Sequence, residues 1–174
     1  MTIIGQGNLK KLFPDFKDDV AENGIDLRVG KLYIINKKES NKQGKVGCIN
    51  DEKLPPDYAE IKKEGKDYYT LEPKNFYFIR IDRPIHIPKG YIQQYYLRST
   101  FSRCGIILTD AIGDSDFQGT LMLGVYNSGP VQVHMGFNER VIQAVTLKTD
   151  GTETSYNGAY QNDEIYKGKI KEGK

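Results

Sequence analysis

Apolar residues along this chain recur mostly at alternate positions, the period of a strand, and only once at the spacing of a helix. In "GNLKKLFPDF" the side chains of Leu9, Leu12 and Phe13 share one face for a turn or two, until Pro14 ends the pattern. A short N-terminal helix is predicted there. Beyond it, "IDLRVGKLYII" carries Ile25, Leu27 and Val29 in alternation, and "NFYFIRIDRPIHIP" is rich in tyrosine and isoleucine, with either Phe76 and Phe78 or Tyr77 and Ile79 facing inward. "GYIQQYYLRS", "CGIILTDAI", "TLMLGVYNSG", "VQVHMGF" and "RVIQAVTLK" follow at short intervals, separated by Pro, Gly, Asn and Ser. Regularly spaced short strands predict an all-β fold, a closed β-barrel or jelly roll. The polar stretch "NKKESNKQGKVG" reads as a variable hairpin, and "DEKLPPDYAEIKKEGKDYY" as a long connection able to carry a helical turn. Residues 1–162 are expected to form a single β domain, and 163–174 a mobile basic tail.

Composition narrows the partners. A chain of 174 residues can bury one substantial core. Its 25 basic and 23 acidic residues leave a formal charge of +2, which argues against a nucleic-acid partner. Cys48 and Cys104 stand far apart without metal-ligand spacing, as suits reduced thiols. The N-terminal residues lack the apolar core of a signal peptide, and no stretch approaches the roughly 18 apolar residues of a membrane span. A soluble, cytoplasmic protein is expected.

Four polar clusters interrupt the strands: "NGIDLRVG", "LRSTFSRCG", "AIGDSDFQG" and "GFNERVIQ". The second brings Arg98, Ser99, Thr100, Ser102 and Arg103 within six positions, an inventory of guanidinium forks and hydroxyls suited to an oligophosphate, or else a solvated strand end. In the third, an extended backbone would project Asp114 and Asp116 onto one face with Ser115 turned away; a polar hairpin is the alternative. Carboxylates near a polyphosphate call for a divalent cation or ordered water between them, and magnesium is readily carried by the phosphates themselves. His86 and His134 sit in alternating runs, where a structural role is the simpler reading. There is no Gly-Lys-Ser/Thr phosphate loop, no dinucleotide fingerprint and no Cys-x-x-Cys zinc-deaminase signature.

Taken together, the four clusters resemble the superfamily of deoxyuridine triphosphatases and deoxycytidine triphosphate deaminases. "GIDLR" looks like its first motif, "LRSTFSR" its second, "IGDSDFQG" its third and "NERVIQ" its fourth, in order over about residues 1 to 161. The resemblance implies a distorted jelly roll that assembles as a homotrimer, with active sites shared across subunit interfaces. It also implies hydrolysis of dUTP to dUMP and pyrophosphate with Mg2+ carried by the triphosphate and no metal held directly by the protein.

The resemblance assigns Asp114 as the base that deprotonates the attacking water, with Asp116 supporting it. Phe117 becomes the ring beneath the deoxyribose, which leaves no room for a 2′-hydroxyl. Uracil would be read by main-chain groups around Ile107 to Ala111. Arg98, Ser99, Thr100 and Gln143 match substrate-phosphate positions, Asp26 orients their surroundings, and Arg103 corresponds to an arginine of the deaminase-like second motif. The glycine-rich arm of typical deoxyuridine triphosphatases is absent, and "SYNGAYQ", with Tyr156, Tyr160 and Gln161, takes the place of the lid. Deaminase members carry a catalytic glutamate where this chain has Gly124, which can neither donate nor accept a proton. Two alternatives accompany this reading: a bifunctional dCTP deaminase and dUTPase, and a nucleotide-responsive regulatory protein with weak hydrolysis.

Overall fold

A computed structural model describes residues 2–50, 52–65, 67–109, 111–151 and 154–171. Among them lie sixteen strands: β1 (Thr2–Ile3), β2 (Ile25–Ile35), β3 (Gly47–Ile49), β4 (Glu52–Leu54), β5 (Tyr58–Glu60), β6 (Tyr68–Leu71), β7 (Phe76–Ile81), β8 (Ile85–His86), β9 (Tyr91–Leu97), β10 (Ile106–Leu108), β11 (Ile112–Gly113), β12 (Gln118–Gly119), β13 (Met122–Asn127), β14 (Val133–Gly136), β15 (Arg140–Lys148) and β16 (Ile170–Lys171). Three short α-helices join them: α1 (Gln6–Leu12), α2 (Lys37–Lys42) and α3 (Ser99–Arg103). The fold is the all-β, jelly-roll class that the alternating pattern predicts.

The main sheet runs β10-β13-β7-β2-β15-β9-β11, curled into a half-barrel. Strand β2 makes the curl possible because its two halves have different neighbours. Ile25–Arg28 pairs with β15, while the stretch from Val29 onward pairs with β7 and then β5. The register shifts between Val29 and Lys31, and a side chain at Gly30 would meet Asp82 Cα at 2.7 Å. Glycine is what lets the two backbones pass at this bend.

The inward residues are those that alternation selects: Ile25, Leu27 and Val29 on β2, and Tyr77, Ile79 and Ile81 on β7. Phe76 and Phe78 therefore take the other face of β7, and an edge-on ring contact of 5.0 Å joins Phe78 to Tyr58. Helix α1 joins the core through Leu9, fully buried, with Phe13 just beyond its last turn. Burying each such side chain is worth about 2 kcal/mol.

Three expectations need correction. "NKKESNKQGKVG" is not a hairpin from its start: it opens with helix α2, capped by the Asn36 side chain, which accepts from the Glu39 amide at 3.2 Å. The connection after it holds strands β4 and β5 rather than a helical turn, since Pro55 and Pro56 favour extended backbone. The segment after residue 162 packs on the domain as far as it is described. Asp163 pairs with Arg80 at 2.7 Å, and β16 adds in parallel to β5. Its lysines suggested a solvated tail, but Asp163, Tyr166 and Ile170 supply contacts that lysine content conceals. Residues 172–174 lie outside the described residues.

Candidate active site

Strand β11 sets Ile112 and Gly113 opposite Gln94 and Gln93 of β9, and the chain then turns sharply. Asp116 adopts a left-handed φ of +64°, and Ser115 is buried with its Oγ accepting from the Gly90 amide at 2.9 Å. The segment is thus a turn, not an extended run, and the two aspartates do not converge. Asp114 faces a cavity. Asp116 turns to His86, with Oδ1 3.1 Å from Nε2, and hydrogen bonding from Ser155 and then His86 holds its carboxyl below the ordinary value.

The cavity has a volume of about 500 Å³, within the range of small-molecule sites. Asp114, Phe117, Tyr95, Phe78, Gly124, Tyr160 and Asp163 contribute to its wall. Phe117 is buried and meets the ring of Tyr156 edge-on at 5.8 Å. The C-terminal segment is laced to the same loop. Gln161 Oε1 accepts from the Gln118 amide at 2.8 Å, its Nε2 donates to the Asp116 carbonyl at 3.0 Å, and the Tyr156 amide donates to the Ser115 carbonyl at 2.8 Å. Asp163 Oδ1 accepts from the Thr120 amide at 2.8 Å. Burial pushes the Tyr58 hydroxyl up to about 12, with the nearby Tyr160 adding to the effect, and burial raises Tyr166 as well.

Gly124 lies buried on this wall, opposite Phe78. A Cβ at Gly124 would stand 2.6 Å from both Phe76 Cζ and Thr109 Oγ1. The position lacks a side chain and has no space ready for one.

A second cluster forms where β2, β15 and the start of α3 meet. Register places Asp26 opposite Gln143, and Gln143 opposite Tyr96. Arg98, the N-terminal cap residue of α3, donates through Nη1 to Asp26 Oδ2, and Arg140 Nη1 reaches the same oxygen at 3.5 Å. Asp26 is buried, and its Oδ1 has no hydrogen-bond partner among the described residues. Ser99 and Thr100 are exposed in the first turn of α3, and Arg103 is exposed at its end.

The first, second and fourth sequence clusters therefore come together around Asp26, while the third joins the tail around Asp114. None of Asp26, Arg98, Ser99, Thr100 or Gln143 lines the Asp114 cavity. Of the predicted lid, Tyr160 lines the cavity and Gln161 ties it down. In the expected base-reading hairpin, Asp110 lies outside the described residues. Sequence reasoning missed Tyr95, Tyr58, Asp163 and Tyr166. "QQYYL" reads as ordinary strand, and the last two sit in a segment whose charge resembles a free tail.

Among the described residues no three His, Cys, Asp or Glu side chains gather as a metal cage, and no helix is long and apolar enough to cross a membrane. Cys48 and Cys104 are both free and exposed.

A family model described as dCTP deaminase-like matches residues 4–148. A probable deoxyuridine 5'-triphosphate nucleotidohydrolase of Methanothermobacter thermautotrophicus is 39% identical over 160 residues, covering 91% of this chain and 99% of that protein. A dCTP deaminase of Pyrobaculum arsenaticum is 30% identical over 159 residues, covering 91% of this chain and 86% of its own length. The crystal structure of 2'-deoxycytidine 5'-triphosphate deaminase from Agrobacterium tumefaciens shares the fold, with a TM-score of 0.60 at 14% identity. The match covers 83% of this chain and 46% of that one.

Proposed function

The chain belongs to the dCTP deaminase-like family, and from that premise we propose that it hydrolyses dUTP to dUMP and pyrophosphate. The observation that carries the choice between the family's two chemistries is Gly124. Removing an amino group from a pyrimidine needs a side chain that moves protons beside the ring, and position 124 offers neither the group nor the room for it. Hydrolysis of a phosphoanhydride makes no such demand there.

Asp114 takes a proton from water, whose oxygen attacks the α-phosphorus as the bond to the bridging oxygen breaks and pyrophosphate leaves. Phe117, stiffened by Tyr156, lies under the deoxyribose and excludes a 2′-hydroxyl. Arg98, Ser99, Thr100 and Gln143 receive the phosphates, with Asp26 orienting Arg98. Because these residues do not line the Asp114 cavity of their own chain, the working site is assembled in a homotrimer, from the cavity of one subunit and the Asp26 cluster of another.

Mg2+ carried on the triphosphate would be met at Asp26, whose Oδ1 has no hydrogen-bond partner among the described residues and would accept from one of the ion's waters. Such an ion supplies charge neutralisation at the phosphates.

A relative named dCTP deaminase keeps a second reading in view, that of a bifunctional enzyme. Product analysis of dUTP, dCTP, dTTP and UTP with magnesium decides between them. Pyrophosphate and dUMP from dUTP alone support this proposal, whereas ammonia from dCTP overturns its specificity. No turnover of any of the four would favour a regulatory protein.

A further inference from the structure

Beneath Asp114 a row of polar side chains crosses the inner face of the sheet. Register sets Thr146 of β15 directly opposite Gln93 of β9, and Gln93 directly opposite Gly113 of β11. Gln93 and Thr146 are fully buried, and Tyr95, two residues along the same face of β9, is 4% exposed. Gln93 Nε2 donates to Thr146 Oγ1 at 3.2 Å, and the Tyr95 hydroxyl donates to Gln93 Oε1 at 3.2 Å. An apolar core gains nothing from these groups, because each buried polar atom needs its partner merely to offset desolvation. The row ends at the active-site loop. A Cβ at Gly113 would collide with the Tyr95 hydroxyl and with Ile87 Cδ1, so the backbone just before Asp114 rests directly on that hydroxyl. Tyr95 also shares the cavity wall with Asp114.

We propose that Tyr95 is a positioning residue for Asp114, its hydroxyl aimed by Gln93 and Thr146 and fixing the level at which the Gly113–Asp114 backbone crosses the cavity floor. The inference rests on Asp114 being the base. A general base loses effectiveness when it sits even slightly off the line of its water, so a rigid support beneath it acts on turnover more than on binding. The hydroxyl also performs a task a phenylalanine cannot. It fills the volume above glycine while remaining hydrogen-bonded inside the core.

The test compares Tyr95→Phe with Tyr95→Phe/Gln93→Met/Thr146→Val. The single variant keeps the ring but leaves Gln93 Oε1 buried and unpaired, so its Tm falls. The triple variant replaces Gln93 and its partner Thr146 with apolar side chains of similar size, so that no member of the row is left buried and unpaired, and recovers the Tm. In both, kcat for dUTP per folded site is expected to drop about 10-fold while KM stays within about 3-fold, the pattern of a misplaced base. Amide exchange at Gly113 and Asp114, measured without nucleotide, should quicken by about 10-fold in both. Unchanged kcat and exchange in Tyr95→Phe, or recovery of both together with Tm in the triple variant, overturns the proposal. If the wild-type chain turns over no dUTP, the proposed function fails, and exchange at those two amides alone decides whether Tyr95 holds the loop.

Discussion

Arg80 and Asp163, 83 residues apart in sequence, meet at 2.7 Å and fasten the C-terminal segment that contributes Tyr160, Asp163 and Tyr166 to the wall of the Asp114 cavity. Each is about a quarter exposed, so the pair is only partly screened by solvent. The second Asp163 oxygen holds the Thr120 amide. Asp163→Ala cuts both ties and should cost about 1–3 kcal/mol, as for bonds to a charged group. Limited proteolysis should then cleave between residues 154 and 171 faster than in the wild type, and KM for dUTP should rise. An unchanged cleavage pattern would mean that other contacts hold the segment.

Asp114→Asn keeps the shape of the side chain and removes its ability to take a proton. Turnover of dUTP should fall about 100-fold or more with binding of a non-hydrolysable analogue largely preserved. Isothermal titration beside steady-state kinetics separates the two. Near-normal turnover removes Asp114 from the mechanism.

Gly124→Glu supplies the missing carboxylate but must push aside Phe76 and Thr109, each 2.6 Å from the new Cβ. Overpacking of this kind costs about 1–3 kcal/mol. The variant should melt earlier, lose dUTP turnover and still release no ammonia from dCTP. Measurable deamination would show that the glycine alone separates the two chemistries.

Alkaline pH offers a test of the cavity's tyrosines. The folded state raises Tyr58 from its ordinary value of 10.0 to about 12, first by burial and then through Tyr160. The folded chain therefore resists losing that proton. The stability this contributes is complete below about pH 10 and is lost as pH climbs through about 12, because ionisation pulls the chain toward the unfolded state. Absorbance at the tyrosinate band and circular dichroism should change together in that window. Tyr58→Phe should move the unfolding midpoint to higher pH, and identical midpoints would place the alkaline weakness elsewhere.

What could be read in advance followed physical signals that are local. Strands β2 and β15 match the alternating runs "IDLRVGKLYII" and "RVIQAVTLK" to the residue, because one buried face enforces a period of two. Helix α1 ends where Pro14 requires. The Asp26–Arg98–Arg140 contact was foreshadowed only by residue type, since nothing in the sequence states that β2 lies beside β15. The relation between Asp114 and Asp116 was lost because a left-handed residue, Asp116, converts an apparent strand into a turn. Gln93 and Thr146 look like solvent-facing strand residues until the sheet closes over them.

If the Asp26 cluster of one subunit completes the Asp114 cavity of another, as proposed, each subunit is half of two different sites, and damage to one half need not be permanent. An Asp114→Asn chain retains a sound phosphate cluster, and an Arg98→Lys chain, which keeps the charge beside Asp26 but loses the guanidinium fork, retains a sound base. If the two inactive variants are unfolded together and reassembled at equal ratio, random mixing gives roughly a quarter of the sites one intact half from each chain. Activity should reappear from two dead preparations, near that fraction of wild type, and only after subunits exchange. A mixture that stays inactive would show that each chain works with its own two clusters.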